Sequence, residues 1–229
     1  MSLRRIRYDE SMDGLWDELV YTRARLEAEA RASDLASAVR DALSRVGETR
    51  QNQLQHWETE IVAQAMVDGV DYDLDGIVGD IGINLERLSC KDRKHPRWTR
   101  YFGTDAPSSV RRLGLASEVR RVRGWASSLK SEPEAELKEL GRRLQDTLAR
   151  ADEALALRER AAAARADHRA REIMTLVDDI NALRLSVYGE LISRVGRIGQ
   201  DPSWPDQFFR HGVTYPRRAQ TPADNTATE

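Results

Sequence analysis

Cysteine is almost absent from this chain, and its scarcity limits the chemistry available to the protein. Among 229 residues only Cys90 is a cysteine, so the chain can form neither an internal disulfide nor a metal site built from several thiolates. Prolines are also few, seven in all, and long stretches of chain are therefore free of helix breakers. Folding must rest on packing alone.

Long apolar runs are missing as well. No stretch of 18 apolar residues occurs, and the basic residues at the start are followed by no apolar segment of a secretory signal. We therefore predict a cytoplasmic protein that does not span a membrane. The formal net charge is −2 and 40% of the residues are hydrophobic, which is typical of a helix-rich globular protein. Abundant arginine and alanine with little lysine indicate a bacterial origin.

What the sequence has instead is helical periodicity. Between Pro133 and Pro202 there is no proline, and apolar residues recur from Leu137 to Ile198 at a mean step of about 3.6, against the 3.5 of a coiled coil. This predicts one or two very long helices packed in a bundle. In the alanine-rich zone 156–171, either a neighbouring helix approaches closely or the helix leaves the core. A break near Asp167-His168 is the second alternative.

Three further helices are predicted upstream. The first spans about 13–46 and ends at Gly47; the second starts near 48, breaks or kinks within 68–76 and resumes to 90; the third spans about 108–130. Four residues of the second helix recur on one face and are predicted to point into the core: Leu54, Trp57, Ile61 and Ala65. We therefore predict an all-α fold, an elongated antiparallel bundle of four to five helices. It forms a single domain over 1–216, followed by a disordered tail over 217–229.

Two segments share the pattern P-x-W-x-x-x-F, one starting at Pro96 and one at Pro202. The same offset aligns about 71–102 with 177–208, which suggests an internal duplication. Each pattern follows a long helix and is predicted to fold its aromatic side chains back over the helix end as a hook. The alternative is an aromatic patch that binds a partner. The hook residues are Trp98, Phe102, Trp204 and Phe208.

An aspartate-rich segment resembles the first half of an EF-hand calcium loop. Asp71, Asp73 and Asp75 occupy the first alternating ligand positions, but the twelfth position, which needs a bidentate glutamate, is Gly82. Calcium binding by these aspartates is one prediction. The alternative is that they cap a helix start and interact with its dipole.

Charge is arranged in two adjacent blocks. Eight acidic and no basic residues lie between Glu58 and Glu86, whereas ten basic and three acidic residues lie between Lys91 and Trp125. The blocks can pair with each other, within the chain or between subunits. Because aromatic residues interleave with the basic ones, the second block can also bind RNA or DNA. The candidate residues for that binding are Arg93, Arg97, Trp98, Arg100, Arg111, Arg112, Arg120, Arg121 and Arg123.

Motifs that would indicate an enzyme are missing. The four histidines include no pair at helical spacing, no Glu-x-x-His occurs, and phosphate-loop, Rossmann and G-x-S-x-G patterns are absent. We therefore predict no catalytic residues and no cofactor apart from the calcium considered above. The leading hypothesis is a non-enzymatic structural or interaction protein that self-associates or binds a protein partner. An RNA- or DNA-binding module and a metal-responsive protein are the alternatives.

Overall fold

The structure is a computed structural model that describes residues 3–210. The tail predicted for 217–229 lies outside these residues. Within them the chain forms helices and no β-strand, which confirms the all-α fold. Across the same residues, every helix is too short or too polar to serve as a membrane span.

Eight α-helices follow one another in residues 3–210, and two of the helical segments are very long. The bounds are α1 Met12–Ala28, α2 Ala36–Leu88, α3 Pro96–Tyr101, α4 Pro107–Val110, α5 Leu115–Val122, α6 Trp125–Lys130, α7 Ala135–His168 and α8 Met174–Ile198. A π-helical turn, Arg169–Ile173, joins α7 to α8 without a break. Short 3₁₀ turns lie at Ser33–Leu35 and Trp204–Phe208. The segment between Pro133 and Pro202 is thus one helical run rather than a hairpin.

Several helix boundaries differ from the prediction. The chain leaves the helix after Ala28 instead of at Gly47, and α2 continues through both Gly47 and the segment 68–76. A glycine inside a helix costs only about 1 kcal/mol, and burial of Leu74 and its apolar neighbours offsets that cost. The predicted third helix is divided into short helices, with Gly114 and Gly124 at the N-caps of α5 and α6.

Contacts within the chain group it into two compact units, where the sequence predicted a single domain. Unit 1 contains residues 3–52 and 169–210, and unit 2 contains residues 53–168. Each unit has its own apolar core. In unit 1 the core lies between α1, the first part of α2, α8 and the turn at Trp204–Phe208. In unit 2 it lies between the rest of α2, the short helices and α7.

Polar contacts hold the N-terminal segment of unit 1. The Asn181 side chain accepts a hydrogen bond from the backbone N–H of Ile6 at 2.8 Å and donates one to its carbonyl at 3.0 Å. Beside it, the buried guanidinium of Arg184 donates to Glu18 at 2.7 Å. Arg4 reaches the other oxygen of Glu18 at 3.0 Å. The carboxylate of Glu18 is therefore buried with two cationic partners.

Each unit contains one of the aromatic hooks. The Trp98 and Phe102 ring centroids lie 4.9 Å apart in unit 2, and those of Trp204 and Phe208 lie 5.0 Å apart in unit 1. All four side chains are buried. Phe102 also packs edge-on against Trp125 at 5.0 Å. Because rings of this size bury large areas, each hook covers the end of the long helix that precedes it.

The two units also share a pattern of buried residues that does not depend on the hooks. Helices α1 and α5 carry the same pattern at positions whose residue numbers differ by 100. The pattern is a leucine, a glutamate, an aliphatic residue and a β-branched residue. They are Leu15, Glu18, Leu19 and Thr22 in unit 1, and Leu115, Glu118, Val119 and Val122 in unit 2; all eight are buried. The offset of 100 differs from the 106 that relates 71–102 to 177–208, and the duplication of those two segments stays a prediction.

Helix α7 approaches α6 closely at Gly141. A Cβ atom at this position would lie 2.9 Å from the backbone nitrogen of Lys130 and 3.0 Å from the carbonyl oxygen of Ala126. Backbone atoms cannot move aside as a flexible side chain can. We therefore expect Gly141→Ala to destabilise unit 2 by about 1–3 kcal/mol, as measured by urea denaturation.

Gly76 is the matched control for this substitution. It lies in α2 within the same unit, and a Cβ there would meet nothing within 4 Å. Gly76→Ala should therefore stabilise the protein by up to about 1 kcal/mol. If Gly141→Ala stabilised the protein as well, that result would show that α6 does not pack closely on α7 at this position.

Candidate functional site

In unit 2, residues 53–69 of α2 run beside residues 150–168 of α7, and we call these two segments the helix pair. The rings of His56 and His168 lie 4.8 Å apart, and Arg165 forms an ion pair with Glu60 across the pair. Buried between the helices are the small side chains of Ala63 and Ala161. The two helices therefore approach closely but bury little apolar surface against each other.

Three large apolar side chains of α2 lie on the outer side of the helix pair, and we call them the apolar row: Leu54, Trp57 and Ile61. Trp57 is 51% exposed and Ile61 is 50% exposed. The sequence predicted that these residues and Ala65 point into the core, and that prediction is wrong. The inward face is instead formed by Ala63 and Val67.

Part of the apolar row lines a groove between the two helices. Trp57 and Ile61 form its α2 side, and Leu155 and Ala162 lie on its α7 side. On α2, Val62 and Met66 are half-exposed too, so exposed apolar side chains lie on more than one side of the helix over this stretch. The helix pair thus exposes several large apolar side chains close together.

Three residues of the acidic block of α2 pair with α7, and two pair with the basic block that follows it in sequence. Arg143 reaches Asp80 at 3.3 Å and Arg150 reaches Asp73 at 3.0 Å. Together with the ion pair between Glu60 and Arg165, these contacts follow α2 along much of its length in unit 2. Among the described residues, Arg93 pairs with Glu86 and Arg111 with Asp75 between the two predicted blocks.

Most of the arginines predicted to contact nucleic acid have carboxylate partners. Six of the nine candidate positions are such arginines, and their partners all lie in unit 2. The pairs are Arg93–Glu86, Arg97–Glu134, Arg100–Glu132, Arg111–Asp75, Arg121–Asp105 and Arg123–Asp152. Arg120 bonds within its own helix, to the Ala116 carbonyl and the Ser117 hydroxyl, and Arg112 lies just before α5.

The aromatic residues of the basic block are not exposed for stacking on bases. Trp98, Tyr101, Phe102 and Trp125 are all buried in the core of unit 2. The Tyr101 hydroxyl donates to Glu132 at 2.9 Å, and burial together with this carboxylate raises the pKa of Tyr101. Nucleic-acid binding stays a prediction, but the structure does not provide the exposed rings on which it relies.

The aspartates predicted to bind calcium lie inside α2 and form no loop. Asp71 and Asp75 are one helical turn apart, whereas Asp73 lies on another face and pairs with Arg150. Across residues 3–210, no group of three or more histidine, cysteine, aspartate or glutamate side chains is arranged to hold a metal ion. The predicted EF-hand-like loop is therefore wrong. The stretch of α2 continues as a regular helix because its apolar residues face the core.

Sequence reasoning missed a buried carboxyl group beside two of these aspartates. Glu118 of α5 is fully buried, and neither of its carboxyl oxygens has a hydrogen-bond partner among the described residues. Burial raises the pKa of Glu118 to about 8, with contributions from Asp75 and Asp71, while Arg111 opposes the shift. Burial also raises the pKa of Asp71 and of Asp75. Glu118 is therefore mostly protonated at neutral pH.

Comparisons of the chain with protein-family models, with curated proteins and with solved structures found no match. Function is accordingly inferred from the residues of the chain itself.

Proposed function

We propose that this protein is a non-enzymatic helical scaffold that associates with another protein chain through the apolar row. The observation that carries the proposal is the position of Trp57 and Ile61, which are half-exposed on a helix whose inward face is formed by small side chains. Tryptophan is among the residues that contribute most to binding at protein interfaces. A partner that covers these side chains would complete an apolar layer that the chain leaves open.

The energetic gain from such a contact is large enough to change the affinity for a partner measurably. Full burial of a large apolar side chain gains about 1.5–3 kcal/mol, and half of that gain remains available at each of Trp57 and Ile61. Leu54, one turn away, is exposed to a similar extent. Since 1.4 kcal/mol corresponds to a tenfold change in affinity, the apolar row can account for a change of about tenfold or more.

The proposal predicts that the double variant Trp57→Gln/Ile61→Gln loses a protein partner. Both substitutions lie on the solvent side of α2, so the fold should be retained, as circular dichroism can verify. We expect the amount of co-purifying protein to fall about tenfold or more, because the variant no longer offers apolar surface. The measurement is quantitative co-purification from cells that produce tagged and untagged full-length chains.

Ile83→Gln is the matched control. Ile83 lies on the same helix and is 68% exposed, but it is outside the helix pair. A partner retained by the wild type and by this control, and lost from the double variant, supports the proposal. Equal recovery from all three proteins would contradict it.

A further inference from the structure

Two of the four histidines meet across the helix pair, although they are far apart in the chain. The ring centroids of His56 and His168 lie 4.8 Å apart, and the ring planes are tilted by 36°. His168 is buried and His56 is half-buried. Histidine is the commonest metal ligand among the side chains. Each ring extends from a regular helix, so the two imidazoles are held close together by the backbone.

The distance between the rings fits a metal ion bound by both of them. A ligating nitrogen lies about 2.1 Å from zinc and about 1.1 Å from the centre of its own ring, so each ring centre lies about 3.2 Å from the ion. Angles of about 90–110° between two ligands then place the ring centres about 4.5–5.2 Å apart. The observed separation of 4.8 Å lies within this range.

The surroundings of the two rings are compatible with a bound cation. Glu60 and Arg165 form the next contact along the helix pair, and this ion pair carries no net charge that would repel a metal ion. The half-buried position of His56 leaves a path from solvent to the rings.

The geometry of the helix changes directly after His168. The regular part of α7 ends at this residue, and the π-helical turn Arg169–Ile173 follows at once. Turns of this kind inside long helices are rare and occur frequently at functional sites. The position of the π-helical turn therefore points to the same end of α7 as the contact between the two rings.

We propose that His56 and His168 bind one divalent transition-metal ion, of the class of Zn²⁺, Ni²⁺ or Cu²⁺, and that this ion links α2 to α7. Imidazole nitrogens favour these ions over calcium and magnesium. Across residues 3–210 no group of three or more ligating side chains is arranged to hold an ion, so water occupies the remaining positions. A metal ion that binds the folded chain adds to its stability, and the helix pair buries few apolar side chains that could do so instead.

Calorimetric titration of the full-length, tag-free chain with Zn²⁺ tests the site. Every protein carries Cys90→Ser, which removes the exposed thiol as a competing ligand. We expect the Cys90→Ser chain to bind one ion. The dissociation constant should rise about tenfold or more in His56→Gln and in His168→Gln, since the loss of even an outer-shell partner costs about 10–100-fold. Absence of one-to-one binding, or equal affinity in the Cys90→Ser chain and the two variants, overturns the inference.

His95→Asn is the matched control. The His95 side chain accepts a hydrogen bond at the N-terminus of α3, and asparagine can take over that cap. This variant should bind Zn²⁺ as the Cys90→Ser chain does. A loss of binding in His95→Asn equal to that in His56→Gln would overturn the inference.

Urea denaturation provides a second readout that does not depend on the buried His168. Because a ligand specific to the folded state stabilises it, Zn²⁺ should raise the urea midpoint of the Cys90→Ser chain and of His95→Asn but not that of His56→Gln. Circular dichroism verifies that His56→Gln is folded. An equal rise in all three proteins would show that the two rings form a packing contact only. The proposed function does not depend on this site and would stand in either case.

Discussion

Replacing Glu18 by glutamine should lower the free energy of unfolding of unit 1 by about 3 kcal/mol. The substitution keeps the shape of the side chain but leaves the guanidinium of Arg184, which is 2% exposed, without its charged partner. Breaking a buried ion pair by removing one member typically costs about 3–5 kcal/mol, because the remaining charge stays buried. Arg184 still donates to the Arg4 carbonyl at 3.3 Å, which places the effect at the lower end. Hydrogen exchange of the α1 amides reports on unit 1 specifically.

Arg4→Gln serves as the control for this experiment. Arg4 contacts the same carboxylate, but its side chain is half-exposed, and an exposed ion pair contributes about 0–1 kcal/mol. The loss caused by Arg4→Gln should therefore be much smaller than that caused by Glu18→Gln. Similar losses in the two variants would show that burial of the Glu18–Arg184 pair is not what stabilises the contact.

Glu118 should make unit 2 less stable as the pH rises. Its pKa is about 8 in the folded chain, against the usual 4.5. Between these two values the folded state holds a proton that the unfolded state has lost. Stability should therefore fall by up to about 1.4 kcal/mol per pH unit. The contribution of Glu118 is fully present below pH 4.5 and is lost as the pH passes 8.

Glu118→Gln removes this pH dependence, because glutamine stays neutral. Urea denaturation at about pH 5, 7 and 9 should show the variant close to the wild type at the lowest pH and increasingly more stable than the wild type above it. Glu153→Gln is the control, since Glu153 is exposed on α7. The free energy of unfolding of this variant should follow that of the wild type at all three pH values. A constant difference between Glu118→Gln and the wild type across the range would contradict the raised pKa.

Glu18 and Glu118 occupy corresponding positions of α1 and α5. Replacement by glutamine should nevertheless lower the free energy of unfolding at Glu18 and raise it at Glu118. Glu18 has Arg184 as its partner. With the offset of 106 that relates Trp204 to Trp98, the position matching Arg184 is Val78, which is buried and apolar. Glu118 consequently has no cation in that place and faces Asp71 and Asp75 instead.

The long helices were predictable from the sequence because proline is absent and apolar residues recur at a helical step. Their interruptions were not. Gly47 and the segment 68–76 suggested helix ends, yet both lie within α2, where burial of Leu74 and Ile77 outweighs glycine propensity. Conversely, the chain leaves the helix after Ala28 although no glycine or proline marks that position.

The orientation of α2 in the helix pair could not be predicted for a different reason. Leu54, Trp57 and Ile61 form one helical stripe, and Ala63 and Val67 lie on another. Periodicity identifies both stripes, and hydrophobicity favours the first as the core. The structure buries the second, because small side chains allow α2 and α7 to approach closely. Which stripe is inward depends on the neighbouring helix, and a single helix does not contain that information.

The buried charges of Arg184 and Glu118 are visible in the sequence, but the hydrophobic pattern alone does not show what they contact. Arg184 follows Ile180 by four positions and precedes Val187 by three, so it lies on the apolar face of α8. Glu118 follows Leu115 by three positions and directly precedes Val119. A charge on an apolar face indicates either an error in the pattern or a buried partner. The partner of Arg184 lies 166 positions away, beyond the range of local sequence reasoning.

The division into two units has a consequence for the order in which the protein folds during synthesis. Unit 2 is one unbroken stretch, residues 53–168, whereas unit 1 combines residues from both sides of that stretch. The ion pair of Glu18 can form only after Arg184 has been synthesised. The hydrogen bond of Ile6 likewise requires Asn181, which lies 175 positions later. Because chains fold as they emerge from the ribosome and distant contacts form slowly, unit 2 can be complete while α1 still lacks its contacts with α8. Chaperones would accordingly bind a chain in which the apolar face of α1 is not yet covered by α8.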